Sequence, residues 1–138
     1  MVAGLLGGFR DWLGYDDPDD ESLRRSIERL AGDPGTEYLL GGAPDGVAQL
    51  RFRHSVWTGR DDAWLEDLFV AGRARGSGLG RALTDFAMER ARARGCARLQ
   101  LDVNAANTAA KALYESLGFS ARQDHLGGDA LYMTRNLA

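Results

Sequence analysis

A short glycine-rich stretch, Arg75-Gly76-Ser77-Gly78-Leu79-Gly80, carries the clearest chemical signal in the sequence. It follows a largely apolar run over residues 65–70 and opens an amphipathic segment, which predicts the order strand, turn and helix. In such a turn several backbone N–H groups point to one position, beside the positive end of the helix dipole. Glycine has no Cβ, so the backbone can approach an anion closely. The stretch therefore predicts a binding site for a phosphate group.

The spacing of the glycines excludes two common nucleotide-binding loops. A Walker A loop requires a lysine directly after its last glycine, but Arg81 follows Gly80 and Lys111 is the only lysine. A dinucleotide-binding fingerprint requires G-x-G-x-x-G, and counting from Gly76 places Arg81 where the third glycine should be. The pattern that remains is Arg-x-x-Gly-x-Gly. A glycine-rich turn without any ligand is the alternative interpretation.

This pattern resembles the acetyl-CoA pyrophosphate loop of the GNAT N-acetyltransferase superfamily. Residues 107–119 are similar to the second signature of that family, Asn-x-x-Ala-x-x-Leu-Tyr-x-x-Leu-Gly-Phe. The second stretch begins 27 residues after Gly80, which leaves room for one helix and one strand. The resemblance is good from Trp64 to Phe119 and looser in the flanks.

Hydrophobic periodicity predicts the elements that must position these stretches. A first helix is predicted from Val2 to Leu13, and a second follows Asp17, predicted as its N-cap with Pro18 in the first helical position. Strands are predicted over residues 36–40, 47–56 and 63–70, the first two joined by a hairpin turn. For the rest of the chain the pattern predicts a helix that ends at Gly95, a strand over 97–103 and a helix over 106–117. A terminal hairpin of 119–123 with 130–135 follows.

Antiparallel hairpins with one strand–helix–strand crossover predict an α+β fold with a mixed sheet. The resemblance implies the GNAT plan, a mostly antiparallel central sheet flanked by helices, with a V-shaped splay between two strands at the cofactor site. The family usually begins with a strand, whereas the helical pattern here starts near Val2, so that first strand is expected to be missing. A single GNAT-like domain over residues 1–138 fits the length.

Composition narrows the classes of function. Apolar residues make up 44% and charged residues 27%, which is ordinary for a soluble domain. No apolar run approaches the roughly 20 residues of a membrane span, and the start lacks the basic region of a signal peptide. We therefore expect a cytoplasmic protein with no membrane partner. The net charge of −3 argues against nucleic acid as a partner. Cys96 is the single cysteine, and His54 and His125 are scattered, so no metal site is predicted.

The resemblance implies a set of contacts with acetyl-CoA. Leu68, Phe69 and Val70 are expected along the pantetheine arm, with Phe69 and Val70 pairing with it like an added strand and the Val70 N–H facing the thioester carbonyl. Asn107 matches an asparagine that contacts the cofactor in relatives, and helix capping is its alternative role. The residues expected around the diphosphate are Arg75, Gly76, Ser77, Gly78, Leu79, Gly80 and Arg81. A solvated surface position is the alternative for the two arginines.

Acetyl transfer to an amine needs a deprotonated amine, a stabilised carbonyl oxygen and a proton for the departing thiolate. Tyr114 matches the tyrosine that lies near the CoA sulfur in relatives and acts as general acid, although a packing role is the alternative. Glu66 is the predicted base, acting through water, and an exposed strand carboxylate is the alternative. Neighbours on a strand point to opposite sides, so only one of Glu66 and Asp67 is expected to face the cleft.

The acceptor is expected to be a primary amine on a small molecule or a peptide. The acidic connection Asp16–Glu21 could attract a cationic amine, or could supply helix caps and solubility. Trp57 and Trp64 could add an aromatic wall or pack in the core. The leading interpretation is an acetyl-CoA-dependent N-acetyltransferase that works by direct attack in a ternary complex. A non-catalytic acyl-CoA-binding module with a regulatory or partner-binding role is the alternative, and a homodimer is expected.

Overall fold

The structure is a computed structural model that describes residues 1–123 and 127–137. The helices are α1 (Val2–Leu13), α2 (Asp20–Ala31), α3 (Leu79–Ala93) and α4 (Thr108–Ser116), and Gly72–Ala74 form a 3₁₀ turn. The strands are β1 (Thr36–Gly41), β2 (Gly46–His54), β3 (Asp61–Val70), β4 (Leu99–Leu101), β5 (Arg122–Gln123) and β6 (Gly128–Asp129). The chain divides into two compact units, Met1–Leu101 and Asp102–Ala138.

The first unit is built on a four-stranded sheet in the order β1-β2-β3-β4. β1, β2 and β3 are antiparallel, and β4 joins β3 in parallel. The predicted α+β class with a mixed, mostly antiparallel sheet is therefore confirmed. The β3–β4 ladder ends at the pair Leu65 and Leu101. β3 continues alone on that side to Val70, and this is the place where the splay for a cofactor is expected.

Helices cover both faces of this sheet. On one face Leu5 of α1 packs with Val47 and Phe69. On the other face α3 lies against the β1–β2 hairpin, where a Cβ on Gly41 would come within 2.7 Å of Leu79 and one on Gly46 within 2.8 Å of Leu83. The two glycines thus allow the first turns of α3 to approach the sheet closely. Within the described residues, no helix is long and apolar enough to span a bilayer.

The second unit contains α4 and the short antiparallel hairpin of β5 and β6. Gly118 follows α4 with a φ of +93°, a left-handed conformation that ends the helix as its sequence predicts. The two hairpin strands are joined through residues that include 124–126, which lie outside the described part of the chain.

Several predicted boundaries are wrong. α2 begins at Asp20 and its N-cap is Asp19, not Asp17, because the Asp19 carboxylate accepts a hydrogen bond from the Ser22 N–H at 2.8 Å. An acidic run offers several candidate caps, and only geometry selects the one that reaches the third residue on. Val56 lies beyond the end of β2 and is 87% exposed.

Two predicted strands near the carboxyl end also differ from the structure, one in its length and the other in its position. β4 spans Leu99–Leu101 instead of residues 97–103, and the second hairpin strand is Gly128–Asp129 instead of residues 130–135. Alternating hydrophobicity marks residues that could form a strand, but a strand exists only where a neighbouring backbone completes the ladder. β4 therefore extends only as far as its parallel pairing with β3.

Candidate functional site

Gly76 and Gly78 turn the chain from the end of β3 into α3. Their φ angles are +78° and +84°, in the left-handed region that glycine adopts at no steric cost. A Cβ on either residue would meet no atom of residues 1–123 and 127–137 within 4 Å, so the backbone borders open space in this part of the structure. Glycine is thus required at both positions by conformation, and it leaves the main chain accessible.

The amino end of α3 has the character of an anion site. Gly78 is the N-cap, so no side chain from the described residues caps the helix, and the first turn contains no acidic residue. The first intrahelical bond runs from the Ala82 N–H to the Gly78 carbonyl at 3.0 Å. The N–H groups that precede it have no acceptor within the helix. Together with the helix dipole they fit a diphosphate, and Leu79, Gly80 and the exposed Arg81 lie in this first turn.

Arg75 is fixed beside the loop by two kinds of contact. Its Nε donates to the Val70 carbonyl at 3.0 Å. Its guanidinium lies 4.7 Å from the ring centre of Trp12 and 5.7 Å from that of Phe69. Trp12 belongs to α1, so Arg75 connects α1, the end of β3 and the glycine loop. Ser77 stabilises the same loop, because its hydroxyl donates a hydrogen bond to the Ala74 carbonyl.

The end of β3 presents backbone, not side chains, to the predicted cofactor path. Phe69 is 7% exposed and stacks on Phe9 of α1, with ring centres 5.3 Å apart. Leu68 and Val70 are half-buried. One edge of this segment pairs with β2 and the other continues past the β4 ladder. An extended ligand along that second edge would meet the main chain of residues 68–70.

A β-bulge on β3 changes where its carboxylates point. Gln49 of β2 pairs with Asp67 and the next residue, Leu50, pairs with Leu65, so Glu66 is an extra residue in β3. Directly paired residues share a face of the sheet, which places Asp67 on the Gln49 side. Glu66 lies on that side as well, since its Oε2 contacts the Gln49 side chain. The expectation that Glu66 and Asp67 face opposite sides is therefore wrong, because a bulge breaks the strict alternation of a strand.

Glu66 is the centre of a polar cluster on this face. Its Oε2 accepts hydrogen bonds from Gln49 Nε2 at 2.7 Å and from Arg51 Nη1 at 3.4 Å. Tyr38 on β1 is the direct partner of Gln49 in the sheet. Burial, followed by the negative charges of Asp67 and Glu66, raises the pKa of Tyr38. Its buried hydroxyl has no hydrogen-bond partner in the described part of the chain.

Two predicted residues, Asn107 and Tyr114, belong to the second unit. The Asn107 side chain caps α4 by accepting from the Ala110 N–H at 3.2 Å, so the capping role is real and leaves its amide nitrogen for other contacts. Tyr114 is 9% exposed, and its ring meets Phe119 edge-on with 5.8 Å between centres. Burial, followed by the charge of Asp102, raises the pKa of Tyr114. The phenol is therefore neutral at physiological pH, as a proton donor must be.

Most acidic side chains in the connection before α2 form a helix cap or an ion pair. Asp19 caps α2, Asp20 pairs with Arg10 at 2.8 Å, and Glu21 pairs with Arg24. Asp16 and Asp17 are exposed. Trp57 is 93% exposed between β2 and β3, so it does not pack in the core. Trp64 is half-buried beneath the Arg53 guanidinium, 5.6 Å from its ring centre.

The cap gives a first prediction. Asp19→Ala should lower the melting temperature, because the Ser22 N–H loses its acceptor. The same contact lowers the pKa of Asp19, so this stabilisation is present above the pKa of the unfolded chain and is lost as the pH falls through the lower folded value. Thermal melts of both proteins at pH 7 and pH 3 measure the effect. Asp17→Ala is the matched control and should melt like the wild type; equal losses from both variants would contradict the cap assignment.

Three residues of the site were not predicted from the sequence. Trp12 was assigned only to the first helix, and no local pattern connects it with Arg75. Tyr38 sits in an apolar strand and shows nothing unusual in sequence. Gln49 did carry a signal, since it is a polar residue between Ala48 and Leu50 in an apolar run. No group of three or more His, Cys, Asp or Glu side chains in residues 1–123 and 127–137 could hold a metal ion.

Comparison with known proteins decides the family. Residues 8–119 match the Acetyltransferase (GNAT) family. The chain belongs to this family. Both the glycine loop that opens α3 and the signature around α4 lie within the matched range. Acetyltransferases of the GNAT family use acetyl-CoA or a related acyl-CoA as donor.

Two curated relatives of this GNAT chain carry different names. It is 41% identical over 103 residues to a mycothiol acetyltransferase of Beutenbergia cavernae, covering 72% of this chain and 33% of that protein. It is 47% identical over 60 residues to the ribosomal protein bS18-alanine N-acetyltransferase of Escherichia coli K12, covering 44% of this chain and 40% of that protein. The chain thus spans less than half the length of these curated relatives.

A solved structure supports the fold over nearly the whole chain. The crystal structure of an Arthrobacter sp. FB24 protein assigned as an acetyltransferase superposes with a TM-score of 0.89 at 33% identity. The match covers 99% of this chain and 88% of that one.

Proposed function

We propose that this chain transfers an acetyl group from acetyl-CoA to a primary amine by direct attack in a ternary complex. The observation that carries the proposal is the uncapped amino end of α3, entered through two left-handed glycines, in a chain of the GNAT family. Gly76, Ser77, Gly78, Leu79 and Gly80 offer backbone to the diphosphate. Arg75 and Arg81 add positive charge beside it.

In the proposed reaction the amine nitrogen forms a bond to the acetyl carbonyl carbon, and the bond from that carbon to sulfur breaks. The leaving thiolate takes the proton of the Tyr114 hydroxyl, which burial keeps neutral. The amine gives up its own proton, through water, to a carboxylate of the β3 bulge. The backbone of Leu68, Phe69 and Val70 and the amide of Asn107 are the proposed contacts for the rest of the cofactor.

Glu66 is the proposed base, and its position on the bulge supports this role. It is partly exposed and restrained by two donors, so it is both oriented and accessible to water. Asp67 lies on the same face and is the second carboxylate of this region. A pair of carboxylates also suits an acceptor that arrives as a cation, because their charge favours an ammonium ion.

The proposed acceptor is a primary amine carried by a small molecule or by a peptide. By their names, one curated relative is a mycothiol acetyltransferase and the other acetylates an alanine of ribosomal protein bS18, which supports considering both small molecules and proteins as acceptors. The carboxylates of Glu66 and Asp67, which lie on one face at the bulge, are the proposed recognition site for its charge.

We further propose a cytoplasmic protein that works as one catalytic domain over residues 1–138 and forms a homodimer. β1 is the outermost strand on its side of the described sheet, and such an edge can pair with a second copy. Light scattering of the purified protein measures the oligomeric state directly.

The activity is tested by thiol release. Purified protein with acetyl-CoA and a panel of primary amines, including small polyamines, amino sugars and peptides with free amino ends, should release free CoA only when an acceptor is present. Mass spectrometry should show the acceptor heavier by one acetyl group. A protein that binds acetyl-CoA by calorimetry yet releases no thiol with any amine would support the non-catalytic acyl-CoA-binding role instead.

A further inference from the structure

Gln49 is a polar side chain in an apolar position. It is 4% exposed and lies between Ala48 and Leu50, which are fully buried. A buried amide without a partner costs free energy, so a glutamine at this place requires a specific contact. That contact is Glu66, because Gln49 Nε2 donates to its Oε2 at 2.7 Å. A hydrogen bond to an ionised group is stronger than one between neutral groups.

Gln49 also lies at the point where the register of the sheet shifts. It pairs with Asp67, its neighbour Leu50 pairs with Leu65, and the residue left over on β3 is Glu66. Bulges of this kind redirect a side chain. Gln49, which lies opposite the bulge, is therefore also the residue that donates to the Glu66 carboxylate.

We propose that Gln49 is a positioning residue for acetyl transfer, which fixes the Glu66 carboxylate where it accepts the amine proton. The inference rests on the proposed function, since it assigns Gln49 a part in that reaction. An amide suits this part because its N–H donates to the carboxylate at 2.7 Å and so restrains the orientation of that carboxylate.

The other groups around Glu66 are compatible with this assignment. Arg51 approaches the same Oε2 only to 3.4 Å and also faces Asp33 at 3.8 Å, so its charge is shared. Asp67 lies beside Glu66 on the same face, and Tyr38 extends the cluster on β1. Gln49 makes the shortest contact to the carboxylate in this cluster.

The test compares Gln49→Met, Glu66→Gln and the double variant. Methionine keeps the volume of glutamine and removes the donor. We expect Gln49→Met to lower kcat on the order of tenfold, with the KM for acetyl-CoA within about twofold of wild type because the cofactor contacts are untouched. In the Glu66→Gln background the same substitution should change kcat less than about twofold, because the carboxylate through which Gln49 acts is gone.

Gln100→Met is the matched control. Gln100 lies on β4 and pairs with Trp64 of β3, which in turn pairs with Arg51 of β2. Gln100 therefore lies on the same face of the sheet as Gln49. This control should keep the wild-type kcat. If Gln49→Met leaves kcat unchanged, or lowers it equally with and without Glu66, the positioning role is overturned while acetyl transfer stands. A wild-type protein that turns over no amine overturns both.

Discussion

Gly80→Glu should abolish acetyl-CoA binding while the protein stays folded. Gly80 is in the first turn of α3, and its φ is not in the left-handed region, so its backbone conformation does not require glycine. A carboxylate there opposes a diphosphate, and two unit charges about 4 Å apart repel by roughly 1 to 4 kcal/mol between aqueous and surface dielectric values. We expect an affinity loss of about 100-fold or more by calorimetry.

The stability of this variant should move in the opposite direction. An acidic residue in the first turn interacts favourably with the helix dipole, and replacing a helical glycine reduces the entropy lost on folding. The melting temperature should therefore equal or exceed that of the wild type. Few substitutions that abolish binding are expected to stabilise the fold, which makes the combination diagnostic.

Gly80→Gln separates charge from bulk in the same place. It adds a side chain of the same size without the negative charge, so it should weaken binding by a smaller factor than Gly80→Glu. Gly78 is not suitable for this comparison, because its φ of +84° would strain any other residue. If both Gly80 variants bind acetyl-CoA like the wild type, the assignment of the loop to the diphosphate fails.

The sequence was informative where chemistry depends on local backbone. Three glycines in five residues, placed between a strand and a helix, predicted the turn that Gly76 and Gly78 form and the helix α3 that follows it. The predicted end of α1 at Leu13 is confirmed, and the next residue, Gly14, has a left-handed φ of +81°. These features depend on residues a few positions apart, and residue type alone restricts their conformation strongly.

The contacts that could not be predicted connect distant parts of the chain. Trp12 meets Arg75 across 63 positions of sequence, and Gln49 meets Glu66 across two strands. Both contacts depend on how distant segments pack or pair in the folded chain. The bulge shows this most clearly, since one extra residue between Leu65 and Asp67 moves Glu66 to the face of its neighbour. Alternation predicts faces only while the ladder is regular.

Tyr114→Phe should lower kcat on the order of 100-fold, the usual contribution of one general acid. Phenylalanine keeps the ring that meets Phe119 at 5.8 Å, so the fold should persist and the KM for acetyl-CoA should change little. Because burial raises the pKa of Tyr114 above its ordinary value near 10, the wild-type phenol keeps its proton across the working range. Its titration should therefore cause no fall in kcat below about pH 10.

Steady-state kinetics from pH 6 to pH 9.5 measure both expectations, with Tyr132→Phe as the control because Tyr132 is an exposed tyrosine. The control should match the wild type at every pH. The loss in Tyr114→Phe should be smaller with an acyl donor whose thiol has a lower pKa, because such a thiolate departs without a proton. A loss that is equal for both donors would mean that Tyr114 contributes by packing, and the proton for the thiolate would then have to come from solvent.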